Sequence, residues 1–133
     1  MKNDSIIVAD LLRKASVFYL ATSVKEQPCI SILNSVVEYN EKLFLAIHQA
    51  ESKQISINPK IALLAILPTK IIEIKAQAVS TTDEAAYKQL INKNPHLAIN
   101  SDSIFHDLKL IVLTNAEVHI RDISGDNAFL QLE

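Results

Sequence analysis

Residues Val17–His48 read VFYLATSVKEQPCISILNSVVEYNEKLFLAIH, and this stretch decides the fold. Val17 to Thr22 is rich in β-branched and aromatic residues, the types that pack well on a pleated, half-buried surface. Lys25-Glu26-Gln27-Pro28 is a polar turn, and Cys29 to Glu38 predicts a second strand. In that strand Ile30 and Ile32 share one face, while Ser31, Leu33 and Ser35 share the other. Tyr39-Asn40-Glu41-Lys42 is a second polar turn, and Leu43 to His48 a third strand. Three strands joined by short turns predict an antiparallel meander.

Upstream, Asp4 to Lys14 predicts a helix with Ile7, Val8, Leu11 and Leu12 on one stripe and Asp4 or Ser5 as its cap. Downstream, Ala50 to Ile57 predicts a short helix stopped by Asn58-Pro59. Ile61 to Leu67 is apolar at every position, which predicts a strand covered on both faces, in the core and against a helix or a partner. From Ile71 to Ser80 the pattern alternates: Ile72, Ile74, Ala76 and Ala78 on one face, with Glu73, Lys75 and Gln77 on a wet one. Thr81 and Glu84 have the spacing of a capping box for a helix reaching about Asn92. Leu97 to Phe105 reads as irregular or a single helical turn. Leu108 to Leu113 and Ala116 to Asp122 read as two strands or one long bent one, with Ser124-Gly125-Asp126-Asn127 as a terminal turn. The sum is a small, mainly β, antiparallel barrel of six or seven strands, with three to four short helices, in one domain over residues 1–133.

Composition excludes several function classes. Hydrophobic residues make up 49% of the 133 and charged residues 21%, which suits a packed core and not a disordered chain. The net charge is −2 with no basic run, which argues against nucleic acid as a partner. Ile61 to Leu67, the longest apolar run, is too short to cross a bilayer, so no membrane is expected. One cysteine, Cys29, makes no internal disulfide, and a cytoplasmic setting is expected. The chain has one glycine, Gly125, so it holds no phosphate-binding glycine loop of the dinucleotide or nucleoside-triphosphate type.

The order of these elements, with the residues at their joints, resembles the pyridoxamine 5'-phosphate oxidase-like FMN-binding split-barrel family, in its short single-domain, nitroimidazole-reductase-like branch. The resemblance rests on Phe18 to Thr22 (FYLAT), Gln27-Pro28, Glu38 to Phe44, Ile57 to Ile61, the alternating strand Ile71 to Val79 with its capping box, Asn94-Pro95, and Ile104 to Asp122 with its Asn115-Ala116-Glu117 turn. It implies a homodimer with two FMN sites at the subunit interface, and a flavin-dependent oxidoreductase acting on a small planar substrate. The isoalloxazine ring would lie across the second strand, at Ser31 and Ile32. The phosphate would sit at the end of the third strand and the start of the next helix, among His48, Gln49, Ser52 and Lys53. A phosphate carries about −1.5 to −2 charges and takes cations, hydroxyls and helix N-terminal amides. Relatives often carry arginines in the second strand, where this chain has Pro28-Cys29-Ile30-Ser31-Ile32, and an arginine and a glycine in the fifth, where it has Glu73 and Ala76.

Each of these residues has a plainer reading. Lys53 also reads as a solvated lysine, Ser52 as a helix cap, and His48 as a partly buried structural residue. Cys29 reads as a buried, inert thiol, and the four scattered histidines show no metal-ligand spacing. No catalytic acid, base or nucleophile is assigned. A cofactor-divergent reading stands beside the flavin one: the same dimeric barrel holding haem or a deazaflavin, or no cofactor at all.

Overall fold

The computed structural model describes residues 2–96 and 108–133. The elements run α1 (Lys2–Lys14), β1 (Phe18–Val24), β2 (Gln27–Leu33), β3 (Val36–Tyr39), β4 (Lys42–His48), α2 (Gln49–Ile57), β5 (Lys60–Ile66), β6 (Lys70–Ser80), α3 (Glu84–Lys93), β7 (Leu108–Asp122) and β8 (Asn127–Leu132). The eight strands of the described residues join one antiparallel sheet in the order β2-β1-β5-β6-β7-β4-β3, with β8 also paired to β7. The sheet curls without closing, because β2 and β3 stay unpaired with each other. This is a split barrel, the architecture expected from the sequence, with one strand more than anticipated. The expected irregular stretch Leu97 to Phe105 lies outside the described residues.

The curl wraps one face of the sheet around a core. Leu20, Leu45, Ile47, Ile72, Ile74 and Ile111 are fully buried in it. Val8 and Leu12 of α1 and Ile55 of α2 pack into the same core. A second cluster lies on the other face, where α3 lays Ala86 and Leu90 against Val37, Phe44, Ala46 and Leu110. Leu43–Ile47 is therefore the stretch buried on both sides. Ile61–Ile66 is not: Ile61, Leu63 and Ala65 are buried, Ala62 and Leu64 are half-buried, and Ile66 is 58% exposed. Helix α3 covers β3 and β4 and stops short of β5, so among the described residues no helix covers the outer face of β5.

The expected meander is also replaced. The predicted second strand is two strands at opposite ends of the sheet. Its break is at Asn34-Ser35. Leu33 and Val36 both enter the main core, and residues three apart cannot share one face of a continuous strand. Two hairpins result, β1–β2 and β3–β4. Each closes on two residues with positive φ, Lys25 and Glu26 in one, Asn40 and Glu41 in the other. Both central residues of that turn type need positive φ, which glycine or asparagine ordinarily supplies; here three of the four are charged residues. Glu38 steadies the second turn by accepting the Glu41 amide N–H at 2.7 Å.

Three smaller expectations change as well. Asp4 and Ser5 lie within α1, not at its cap. Asp83, not Thr81, caps α3, its Oδ1 accepting the Ala86 amide at 3.0 Å, while Thr81 accepts the Asp83 amide. Leu108 to Asp122 is one long strand, bent where Asn115 adopts a positive φ opposite a register shift between Lys75 and Gln77. Asparagine tolerates that conformation better than most residues. The terminal turn leads into β8, which pairs with β7 from Arg121–Asn127 to Ala116–Leu132.

Candidate functional site

Helix α2 begins where β4 ends, and its N-terminus faces out of the fold. His48 is its N-cap and is exposed, as is Gln49. Glu51 reaches back to accept the His48 backbone N–H at 3.1 Å. That bond satisfies one of the amides a helix start leaves open, and it sets a carboxylate on the first turn. Further along, Gln54 Oε1 accepts the Thr22 hydroxyl at 2.7 Å, and Asn58 Nδ2 donates to the Ser23 carbonyl at 3.0 Å. These two bonds dock α2 onto β1, and Ile55 enters the core beside them.

The docking fixes which α2 side chains turn toward β1. At about 100° per residue, Glu51 falls between Gln54 and Ile55 on the docked side. Lys53 falls about 160° away from Glu51, on the opposite side, and is exposed. Ser52 is half-buried, and the Lys53 carbonyl accepts the Ser56 hydroxyl at 2.7 Å.

On β2 the alternation separates the two expected ring contacts. Ser31 pairs with Leu20 and shares the inward side with Cys29 and Leu33; Ser31 and Cys29 are half-buried. Ile32 pairs with Tyr19 on the outward side and is 64% exposed, and Ile30 beside it is 76% exposed. Among the described residues β2 is an edge strand, and its backbone groups on the side away from β1 have no strand partner there.

The outward side continues across the sheet in register. One row runs Ile32, Tyr19, Leu64, Glu73, His119, Phe129, and the next Ile30, Ala21, Ala62, Lys75, Glu117, Gln131. The β2–β1–β5 end of this face is apolar and the β6–β7–β8 end polar. Glu73 pairs with Arg121, His119 stacks on Phe129 with centroids 4.2 Å apart, and His119 Nε2 lies 2.9 Å from Asn127 Oδ1. Two shallow concavities of about 520 and 420 Å³ meet on this face at Lys75 and Glu117. None of the residues expected from the sequence lines them. The His119–Phe129 stack had no sequence signal, because it depends on a β7–β8 pairing that the terminal turn alone does not announce.

The residues present suit one part of an FMN molecule and not the other. An apolar strip beside an open backbone edge suits a planar aromatic ring. The α2 N-terminus does not suit a phosphate dianion. Its docked side carries the Glu51 carboxylate, Lys53 points the other way, and β2 holds no arginine or lysine.

The fold is that of the split-barrel proteins related to pyridoxamine 5'-phosphate oxidase. The chain is similar in structure to a NimC/NimA family protein from Clostridium acetobutylicum, with a TM-score of 0.88 at 21% identity over 98% of this chain and 94% of that one. A protein related to general stress protein 26 of Bacillus subtilis (pyridoxinephosphate oxidase family), also from Clostridium acetobutylicum, gives a TM-score of 0.67 at 13% identity, covering 98% and 96%. HutZ, the haem storage protein of Vibrio cholerae, gives 0.63 at 16% identity, covering 96% and 93%. No family model matches the chain, and no curated protein matches it in sequence. Among the described residues, no helix is long and apolar enough to cross a membrane.

Proposed function

We propose that this chain is a cytoplasmic, homodimeric split-barrel protein that binds a flavin at the subunit interface and exchanges electrons with a small planar substrate. The observation that carries the proposal is the bare apolar strip of β2, β1 and β5, with Ile30, Ile32 and Ile66 each more than half exposed. A contiguous apolar strip of this kind marks a site for a ligand or a partner. The opposite end of the sheet needs neither, since α3 already covers it. A second copy of the same strip, related by a two-fold axis, is self-complementary cover. A planar ring set against the open edge of β2 would be enclosed by the same contact. A bound flavin would supply the electron chemistry, and the chain would hold and shield it.

The test is the absorbance of the purified protein. Bands of a bound flavin, released on denaturation, support the proposal. A colourless protein that takes up neither FMN nor riboflavin refutes the flavin part. A haem-like or deazaflavin-like spectrum would instead establish the second reading, a binding protein for another planar ligand on the same dimer. The absence of a cation from β2 favours that second reading over an ordinary FMN site.

A further inference from the structure

We propose that the hollow of about 520 Å³ on the outward face seats the small planar substrate, and that this substrate carries an anionic group of the carboxylate class. The inference rests on the reading above and names its substrate class. Three observations converge on it. The hollow is floored by Ala21 and Ala62, which are register partners within a strip otherwise built of Ile30, Ile32, Tyr19 and Leu64. Two methyl side chains among longer apolar ones leave a dent in which a flat ring finds apolar contact. Two cations, Lys60 and Lys75, line the same hollow and are exposed. Lys75 pairs with Ala62 from β6, and Lys60 shares the outward side of β5 with Ala62. Among the described residues neither ammonium has an ion-pair or hydrogen-bond partner. Glu117, opposite Lys75 on β7, also lines the hollow and closes no ion pair with it, so two cations stand against one carboxylate. The third observation is the bulge of β7, where Asn115 and Ala116 stand opposite the single Ala76. It brings Asn115, exposed and at positive φ, into the lining. Bulges of this kind re-aim side chains beside binding sites. A planar carboxylate lays its ring on the alanines and its charge by the two ammonium groups, where a charge-assisted bond is stronger than a neutral one.

The experiment is a proton–nitrogen NMR titration of the full-length chain, as purified, with benzoate and with benzamide, its neutral isostere. It covers the wild type, Lys60→Gln, Lys75→Gln, Glu117→Gln and Ala62→Leu. Benzoate should shift the amides of Ala62, Lys75 and Asn115 and bind about fivefold or more tightly than benzamide. Each lysine substitution should weaken benzoate about threefold or more and leave benzamide unchanged, while Glu117→Gln should tighten benzoate. Ala62→Leu fills the dent and should weaken both ligands with the rest of the spectrum intact. Equal affinity for the two ligands overturns the inference. So do lysine variants that bind benzoate as the wild type does, or shifts confined to another part of the chain. No shift at all also overturns it, and is the result expected if a second copy fills the hollow. The absorbance of the same sample scores the flavin separately: a flavin-bearing protein without the benzoate site removes this inference alone, and a colourless protein that binds neither flavin nor benzoate removes both readings.

Discussion

Ile32→Ser tests the proposed dimer directly. Ile32 is 64% exposed in the isolated chain, at the edge of a row that continues through Tyr19 and Leu64. Burying a whole isoleucine side chain contributes about 1.5–3 kcal/mol, so covering this exposed share contributes about 1–2 kcal/mol per copy. A two-fold interface counts the residue twice, which makes the loss about 2–4 kcal/mol in dimer stability. That is roughly a 30- to 700-fold rise in the dimer Kd. Serine at the same site leaves the barrel core untouched, because Ile32 faces away from Leu20 and Leu33. The monomer's own unfolding free energy should therefore shift by no more than about 0.5 kcal/mol. Sedimentation equilibrium across a concentration series measures the first quantity, and urea unfolding of the monomeric variant the second. A wild type that sediments as a monomer at every concentration refutes the reasoning, as does a variant with an unchanged dimer Kd. A large loss of monomer stability would show instead that the strip is part of the chain's own core.

Two further substitutions probe what positions the site. Asn94 is buried, and its Nδ2 donates to the Val36 carbonyl at 3.1 Å and the Leu90 carbonyl at 2.8 Å, tying α3 to β3. Asn94→Ala should cost about 1–3 kcal/mol in urea unfolding, because the Val36 carbonyl is left buried without that donor; no loss would show that the tie is dispensable. On β7, the Lys70 ammonium 2.6 Å away, aided by the Ser124 amide, holds the Asp122 carboxyl down at about 2 from its ordinary 3.8. A carboxyl lowered by folding stabilises the fold fully above its ordinary value, and the contribution is lost as pH falls from about 4 to about 2. Asp122→Asn should flatten the pH dependence of the unfolding midpoint over that window, and an unchanged slope would show that the pair does not couple to folding.

Much of the fold was legible in short-range pattern. The strict alternation of Ile72, Ile74, Ala76 and Ala78 against Glu73, Lys75 and Gln77 specified β6 and its inner face, and all four apolar residues are buried. Pro59 after Asn58 specified the end of α2. Leu43 to Ile47 and Ile61 to Leu67 were not distinguishable, since both are continuous apolar runs. Which of them is covered twice depends on where α3 lands, and α3 is more than 15 residues away from either in sequence. The break at Asn34-Ser35 was hidden for a similar reason, because a polar pair inside an alternating strand is common. Its meaning lies in Leu33 and Val36 both reaching one core.

The site divides the same way. The sequence by itself determined that a short helix starts after His48 and carries Glu51, Ser52 and Lys53, and that Ser31 and Ile32 sit on opposite faces of one strand. Periodicity is a local property, so it reports which residues share a face of their own element. Only the tertiary structure decided which face meets what. The Thr22–Gln54 bond turns Glu51, not Lys53, toward β1, and α3 reaches β3 and β4 but, among the described residues, leaves β2, β1 and β5 uncovered. Both depend on contacts between residues far apart in the chain, and no local pattern encodes the rotation of a helix about its own axis against a distant strand.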